Sequence, residues 1–372
     1  MASSQKLLAA GLGRPVARAL RVPSLAVRRK SGPYGYTQAK ALVFSKPGEP
    51  ADVLSLHSHS ISPSLPSSSV LVRSLAAPIN PADINTVQGT YGAKPPFTSL
   101  IGTPEPSATP GNEGVFEVLS SSSPDFAKGD WVIPAISQFG TWRTHAVAEA
   151  SKFIKVDKAG LSPLQVATVS VNPCTAYRIL RHYGPNAGVK AGLGMRPLEV
   201  GSGAWFIQNG ANSGVGRAAI QFGRLWGLRS INVVRERETE EATAALRREL
   251  EALGADVVSA TAVARSLGEG ATMVTYGGMA KQPVALPVGL LIFKDIRFLG
   301  FWLSKWNEKD VEGRKHMIND ILSLIRAGKF QDVPVDEVKW DWDTEESTLR
   351  DAVQGGLQGF RKGKGVFVFG ET

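Results

Sequence analysis

The residues best suited by type and spacing to do chemistry lie between Ala204 and Arg237, in the run AWFIQNGANSGVGRAAIQFGRLWGLRSINVVRER. Asn209 to Gly216 contains three glycines and no large side chain, so backbone amides can come close to a ligand. Asn212, Ser213, Gly214 and Val215 form the tip of that turn and are its candidate phosphate-binding residues. In the frame Ala211-Asn212-Ser213-Gly214-Val215-Gly216, only the last glycine of the G-x-G-x-x-G dinucleotide fingerprint is kept. A tight turn with no ligand is the alternative reading. Arg235-Glu236-Arg237 falls where an NAD site expects an acid at the end of the next strand. Two guanidiniums flanking one carboxylate suit a 2′-phosphate, because Arg pairs phosphate in a bidentate way, so NADPH is favoured over NADH. The alternative is a solvated charged turn, since Glu238, Glu240 and Glu241 follow.

Metal chemistry has little to build on. Cys174 is the one cysteine, which excludes an intramolecular disulfide and a four-cysteine zinc site. His57, His59, His145, His182 and His316 have no metal-ligand spacing to Cys174, and His57-x-His59 reads as an exposed strand pair. No metal site is expected.

These residues need elements to position them. Ala204–Gln208 is an apolar run long enough for one buried strand, and Ile231–Val234 is a second. Between them Ala219, Ile220, Phe222, Leu225 and Trp226 repeat at helical spacing, so the unit is βαβ with its turn at a helix N-terminus. Further strands are expected at 256–258, 271–276 and 296–301, and helices over 173–180, 239–253, 259–267 and 309–326. Leu290–Phe293 and Ile296–Trp302 read as apolar runs for an edge strand. Upstream, residues 37–170 are β-rich: Ala39–Phe44, Val70–Leu75, Gly114–Leu119 and Trp131–Ile136 are strand-like and separated by Gly, Pro and Ser clusters. Residues 329–372 supply final strands to that part.

Residues 1–31 carry Lys6, Arg14, Arg18, Arg21, Arg28, Arg29 and Lys30 with interspersed serines and no acid. That composition reads as a mitochondrial transit peptide. Setting those seven basic residues aside leaves 35 basic against 33 acidic, so the remainder is nearly neutral and its charge gives no argument for nucleic acid. No apolar run is long enough to span a bilayer. About 340 residues remain, enough for two domains.

Ala39 to Pro47, Pro78-Ile79-Asn80-Pro81-Ala82-Asp83, Gly111-Asn112-Glu113-Gly114 and Gly129-Asp130-Trp131-Val132 together resemble the catalytic half of medium-chain dehydrogenases/reductases. More narrowly, Asn80 to Asn85 followed by Gln88-Gly89-Thr90-Tyr91-Gly92 resembles the zinc-free mitochondrial trans-2-enoyl-thioester reductases. So do Val171-Asn172-Pro173-Cys174-Thr175-Ala176-Tyr177, Val234 to Arg237, Tyr276-Gly277-Gly278-Met279-Ala280 and Gly300-Phe301-Trp302-Leu303. The resemblance implies an α/β fold: a GroES-like β-rich catalytic domain (32–170, with 329–372 returning to it) beside a Rossmann-type doubly wound parallel sheet (171–328). It implies reduction of 2-enoyl thioesters on acyl-carrier protein or CoA in the mitochondrial matrix, with NADPH, by a homodimer.

Such a reduction needs a hydride at C3, a proton at C2 and stabilisation of an enolate. A Tyr hydroxyl suits the proton donor, and the resemblance puts it at Tyr91; the alternative is a loop aromatic packed on the barrel mouth. Asn80 is expected to orient the substrate or Tyr91, or to be a turn residue. Asn172 precedes Pro173 as an N-cap-like residue, to which the resemblance adds a contact near the nicotinamide. The resemblance also sets Tyr276, Gly277, Gly278 and Met279 against the cofactor, Phe301, Trp302 and Leu303 along the cleft, and Lys364 near the cofactor phosphate. A quinone oxidoreductase of the same fold would share the nucleotide half without needing the Tyr91 loop.

One unit of the pattern is missing. The family has a further helix and strand after the third nucleotide-domain strand, and here the join falls near Val258/Ser259. The absent strand would lie next to the first, at the sheet's centre. Either the following strand slides inward, or a gap leaves the Ala204 strand's backbone groups unpaired and buried. Weak cofactor binding, or a non-catalytic role, is the expected consequence.

Overall fold

The computed structural model describes residues 32–181, 198–259, 267–278, 286–356 and 363–370. The segment 1–31, Met279 and most of the 259–267 helix lie outside them. The β-rich half begins with β1 (Thr37–Val43), α1 (Pro50–Val53), β2 (Ser55–Ile61), β3 (Ser69–Pro78) and α2 (Pro81–Val87). It continues through β4 (Val115–Ser121), β5 (Trp131–Pro134), β6 (His145–Glu149), β7 (Phe153–Val156) and α3 (Pro163–Ala167). The nucleotide half follows with α4 (Asn172–Arg181), β8 (Trp205–Asn209), α5 (Gly214–Leu225), β9 (Arg229–Val233), α6 (Glu240–Leu253) and β10 (Val257–Ser259). Next come β11 (Thr272–Thr275), α7 (Val288–Lys294), β12 (Arg297–Gly300), α8 (Leu303–Lys309) and α9 (Val311–Arg326). The chain then returns through β13 (Val335–Trp340), α10 (Glu346–Gly355) and β14 (Lys364–Phe369).

Seven strands build the β-rich half in the order β13-β14-β3-β4-β5-β7, with β6 also on β3, while β1 and β2 pair separately. The return of the chain is physical: Val366, Phe367 and Val368 of β14 lie antiparallel to Pro78, Ala77 and Ala76 of β3. One apolar cluster spans both halves, joining Val115, Ile133 and Val156 to Tyr177, Phe222, Trp226, Ile318 and Ile321. Arg314 of α9 reinforces that joint by donating to the Pro134 carbonyl at 2.8 Å.

All five expected nucleotide-half strands form, in parallel pairs, but as two separate pieces. One is β10-β9-β8 and the other β11-β12. β8 pairs with β9 from Trp205↔Arg229 to Asn209↔Val233, and among the described residues its other edge carries no strand. The sheet therefore has the gap, and β11 has not slid inward. Nor is β8 buried as its apolar sequence implied. Trp205 is 46% exposed, Asn209 is exposed and the three residues between are partly exposed. Water can reach the unpaired edge, which removes most of the cost of leaving its amides without partners.

Three other expectations change. Leu290–Phe293 is helical, within α7, which starts after Pro287 and stops where Asp295 takes a left-handed φ of 47°. The 309–326 helix is split at Asp310, whose side chain caps α9 by accepting from Gly313 N at 2.9 Å. His57 and His59 do share strand β2, but half-buried, with rings stacked at 6.0 Å and His57 Nε2 on the Ile101 carbonyl at 2.8 Å. No described helix is long and apolar enough to cross a membrane. Among the described residues no cluster of His, Cys, Asp and Glu is arranged to hold a metal.

Candidate active site

The register Asn209↔Val233 makes the turn after β8 and the segment after β9 leave the sheet at the same end. That end is where open α/β sheets bind ligands. Ser213 caps α5, its Oγ accepting from Gly216 N at 3.1 Å. Burial raises the pKa of the Tyr276 hydroxyl, and nearby Ser213 partly offsets the rise. A Cβ at Gly214 would run into the Asn172 carboxamide, so glycine there allows α4 and α5 to meet. A Cβ at Gly216 would strike the Ala211 backbone. Asn172 itself is the first residue inside α4 rather than its cap. Arg235 and Glu236 are exposed beyond β9, and Arg237 is tied back to α6 by its amide, which donates to Thr243 Oγ1 at 2.9 Å. Gly277 and Gly278 face open space. Asn212, Ser213, Gly214, Val215, Asn172, Tyr276 and the arginines thus gather at one end of β8.

Tyr91 is held from the other side. Its amide donates to the Asn85 carbonyl of α2 at 3.1 Å. Its hydroxyl accepts from Trp302 Nε1 at 2.8 Å and lies 3.3 Å from Ser304 Oγ. The two rings meet edge to face at 5.8 Å, and a Cβ at Gly92 would come within 3.1 Å of the indole. Trp302 and Ser304 stand at the start of α8, so the link runs from the β-rich half to the end of β12. Within Phe301-Trp302-Leu303, only Trp302 contacts Tyr91 through a hydrogen bond. Phe301 is 4% exposed and Leu303 packs against the shared core, so both serve packing.

Asn80 and Lys364 belong to a buried polar cluster. Asn80 is 2% exposed; its Nδ2 donates to Glu113 Oε2 at 3.0 Å and its Oδ1 accepts from Lys364 Nζ at 2.8 Å. Lys364 also pairs with Glu113 at 3.2 Å, with its own side chain 8% exposed. That is an interior ion pair, not the phosphate-facing lysine implied by the resemblance. Asn80 contacts neither Tyr91 nor open space through its amide; it acts on the segment that leads to Tyr91 by starting α2. Asp83 accepts from Asn80 N at 2.9 Å and from the Asn112 amide and side chain at 2.9 and 2.8 Å. Burial pushes the Asp83 carboxyl up to about 6 despite those donors. Asp83, Asn112, Glu113 and Ser304 carry no role in the sequence reading. The first three sit inside the motifs quoted above, while Ser304 has no sequence signal, because its importance comes only from lying beside Tyr91.

A nicotinamide dinucleotide fits these residues: the turn over α5 is stripped of Cβ atoms where groups approach, and two arginines stand beside it.

The sequence matches no protein-family model. It is 41% identical over 330 residues to the mitochondrial enoyl-acyl-carrier-protein reductase of Yarrowia lipolytica, covering 80% of this chain and 82% of that protein. It is 40% identical over 328 residues to the Homo sapiens protein of the same name, covering 79% and 80%. Among solved structures, the mitochondrial 2-enoyl thioester reductase Etr1p/Etr2p heterodimer from Candida tropicalis superposes with a TM-score of 0.79 at 35% identity, over 89% of this chain and 99% of that one. An Etr1p complex with NADP and crotonyl-CoA gives a TM-score of 0.79 at 34% identity, over the same shares of the two chains. A Bacillus thuringiensis quinone reductase, at 22% identity and a TM-score of 0.70, shares the fold.

Proposed function

This chain belongs to the mitochondrial enoyl-acyl-carrier-protein reductases, and from that membership we propose that it reduces trans-2-enoyl thioesters to saturated acyl thioesters with NADPH. The observation that carries the reading is the Tyr91 hydroxyl, held by Trp302 Nε1 at 2.8 Å at the start of α8, just past the end of β12. Asn212 to Val215, Asn172, Tyr276, Arg235 and Arg237 would hold the dinucleotide. Bound there, the dinucleotide would supply hydride chemistry toward C3 of the enoyl group. Tyr91 then protonates C2 of the enolate, and its phenolate is met by hydrogen bonds from Trp302 and Ser304.

The test is NADPH-dependent reduction of crotonyl-CoA, the thioester bound in the Etr1p complex. Tyr91→Phe is expected to lower kcat by about 100-fold or more, the usual worth of a positioned acid. A quinone reductase would be nearly indifferent to that change. A second reading, in which the cofactor is held weakly, is favoured by the open edge of β8 next to the cofactor turn. Fluorescence titration with NADPH decides it: saturation at micromolar concentrations removes that reading.

The relatives are named as mitochondrial proteins, and the acid-free segment 1–31 agrees with import. The matrix is the proposed site of action, with acyl-carrier protein or CoA as carrier. A homodimer is proposed through the edge of β12 that pairs with no strand among the described residues. Light scattering of the mature chain should report twice the monomer mass, and a monomeric mass at all concentrations rejects it.

A further inference from the structure

Glu113 is fully buried, at 0% exposure, in the turn Gly111-Asn112-Glu113-Gly114. Both carboxylate oxygens are occupied, and they face different elements. Oε1 accepts from Val171 N at 2.8 Å, at the entry to α4, with Ser170 Oγ at 3.5 Å. Oε2 accepts from Asn80 Nδ2 at 3.0 Å and from Lys364 Nζ at 3.2 Å. Each arm continues to one side of the site. Beyond Val171 is Asn172, whose carboxamide rests against Gly214 in the cofactor turn. Beyond Asn80 is α2, whose Asn85 carbonyl holds the amides of Thr90 and Tyr91 at 2.9 and 3.1 Å.

We propose that Glu113 is a positioning residue: one carboxylate spans the entry to α4 and the start of α2, and so fixes the distance between the cofactor turn and the Tyr91 hydroxyl. The proposal rests on the reading of Tyr91 as proton donor. A misplacement near 1 Å costs a catalyst about 100-fold, so a rigid spacer of this kind matters to rate as well as to folding. The competing account is that Glu113 only neutralises Lys364. The two differ in what they ask of length. Aspartate keeps the charge but is shorter by one bond, about 1.5 Å, so it can satisfy one arm and not both.

The experiment compares Glu113→Asp, Glu113→Gln and Asn80→Ala in the full mature chain, reading NADPH affinity by fluorescence titration, kcat with crotonyl-CoA, thermal midpoint and amide exchange at Val171. Glu113→Asp should fold, exchange the Val171 amide faster or lose the Asn80 arm, and lower kcat about tenfold or more. Glu113→Gln removes the partner of a buried ammonium and should melt well below the others. Asn80→Ala cuts the α2 arm, and with it the amide oxygen that Lys364 donates to, but leaves the Val171 arm in place, so kcat should fall while NADPH affinity holds. Wild-type kcat and affinity in folded Glu113→Asp overturn the proposal, as does loss of activity in strict proportion to unfolded protein. If Glu113→Asp does not fold, Asn80→Ala decides by the same criterion: an unchanged kcat overturns it. A double-mutant cycle with Tyr91→Phe should show the kcat effect of Asn80→Ala shrinking once the phenol is gone, and additive effects count against the proposal. Full activity in Tyr91→Phe alone would sink the proton-donor reading instead, while the Glu113 arm to Val171 would still show in NADPH affinity and amide exchange.

Discussion

The Tyr91 hydroxyl, the proposed proton donor, lies next to two groups able to donate hydrogen bonds to the anion it would leave, the Trp302 indole N–H and the Ser304 hydroxyl. An anion in a partly dry site gains more from such donors than a neutral phenol does, so the bonds strengthen as the proton leaves. Trp302→Phe keeps most of the ring and removes the N–H. It should lower kcat about 10- to 100-fold while leaving NADPH affinity near the wild-type value, read by steady-state kinetics and titration. Arg235→Gln combined with Arg237→Gln should raise KM for NADPH several-fold and leave KM for NADH almost unchanged, because only the 2′-phosphate is lost as a partner. Equal changes for both cofactors would place the phosphate elsewhere. The motifs singled out Tyr91 and Asn80 by position, while their pairing with the partners the structure gives them, Trp302 and Ser304 for the first and Glu113 and Lys364 for the second, had no local signal. Lys364 was legible in presence but not in role, since nothing local reveals that its ammonium meets Glu113 across 251 positions of chain.

Among the elements, the junction of α4 with α5 shapes the turn proposed to hold the cofactor. It works because Gly214 leaves room for the Asn172 carboxamide. Gly214→Ala should push the two apart and weaken NADPH binding about tenfold, measured by fluorescence titration, with the far β-rich sheet and its contribution to the melting curve unaffected. Elements with strong periodicity, such as α5 and α6, could be read from the chain to within a residue or two. Leu290–Phe293 could not, because a short apolar run fits either state and Pro287 with Asp295 decided for helix. The five strands of the nucleotide half were readable one by one. Their division into two sheets depends on which strands pair, and the sequence pointed to that only through a unit that was missing.

The whole molecule responds to acid through three buried or half-buried groups, His59, His145 and Asp83. Burial is the main cause that brings both His59 and His145 down to about 4, while burial lifts Asp83 to about 6. The histidines take up protons more readily when unfolded, so their stabilising contribution is present above about pH 6.5 and is lost as pH falls toward 4. Asp83 acts with the opposite sign: its contribution is full below about pH 4 and is lost as pH rises through 6. Two groups outweigh one, so these three together make the thermal midpoint lower at pH 5 than at pH 7. His145→Gln should narrow that difference, and an unchanged difference would show that His145 is not its source. NADPH should also raise the midpoint, since a ligand at about 100 times its dissociation constant adds about 2.7 kcal/mol to the folded state. The largest feature at this scale is the edge of β8 that pairs with no strand among the described residues. Trp205 to Asn209 carries no charge and no proline, the devices by which edge strands repel other backbones. Loss of active protein during storage should therefore be second order, with encounters between molecules setting the lifetime of a preparation. Doubling the concentration should shorten its half-life, whereas a chain lost only by unimolecular unfolding would keep one half-life at every dilution.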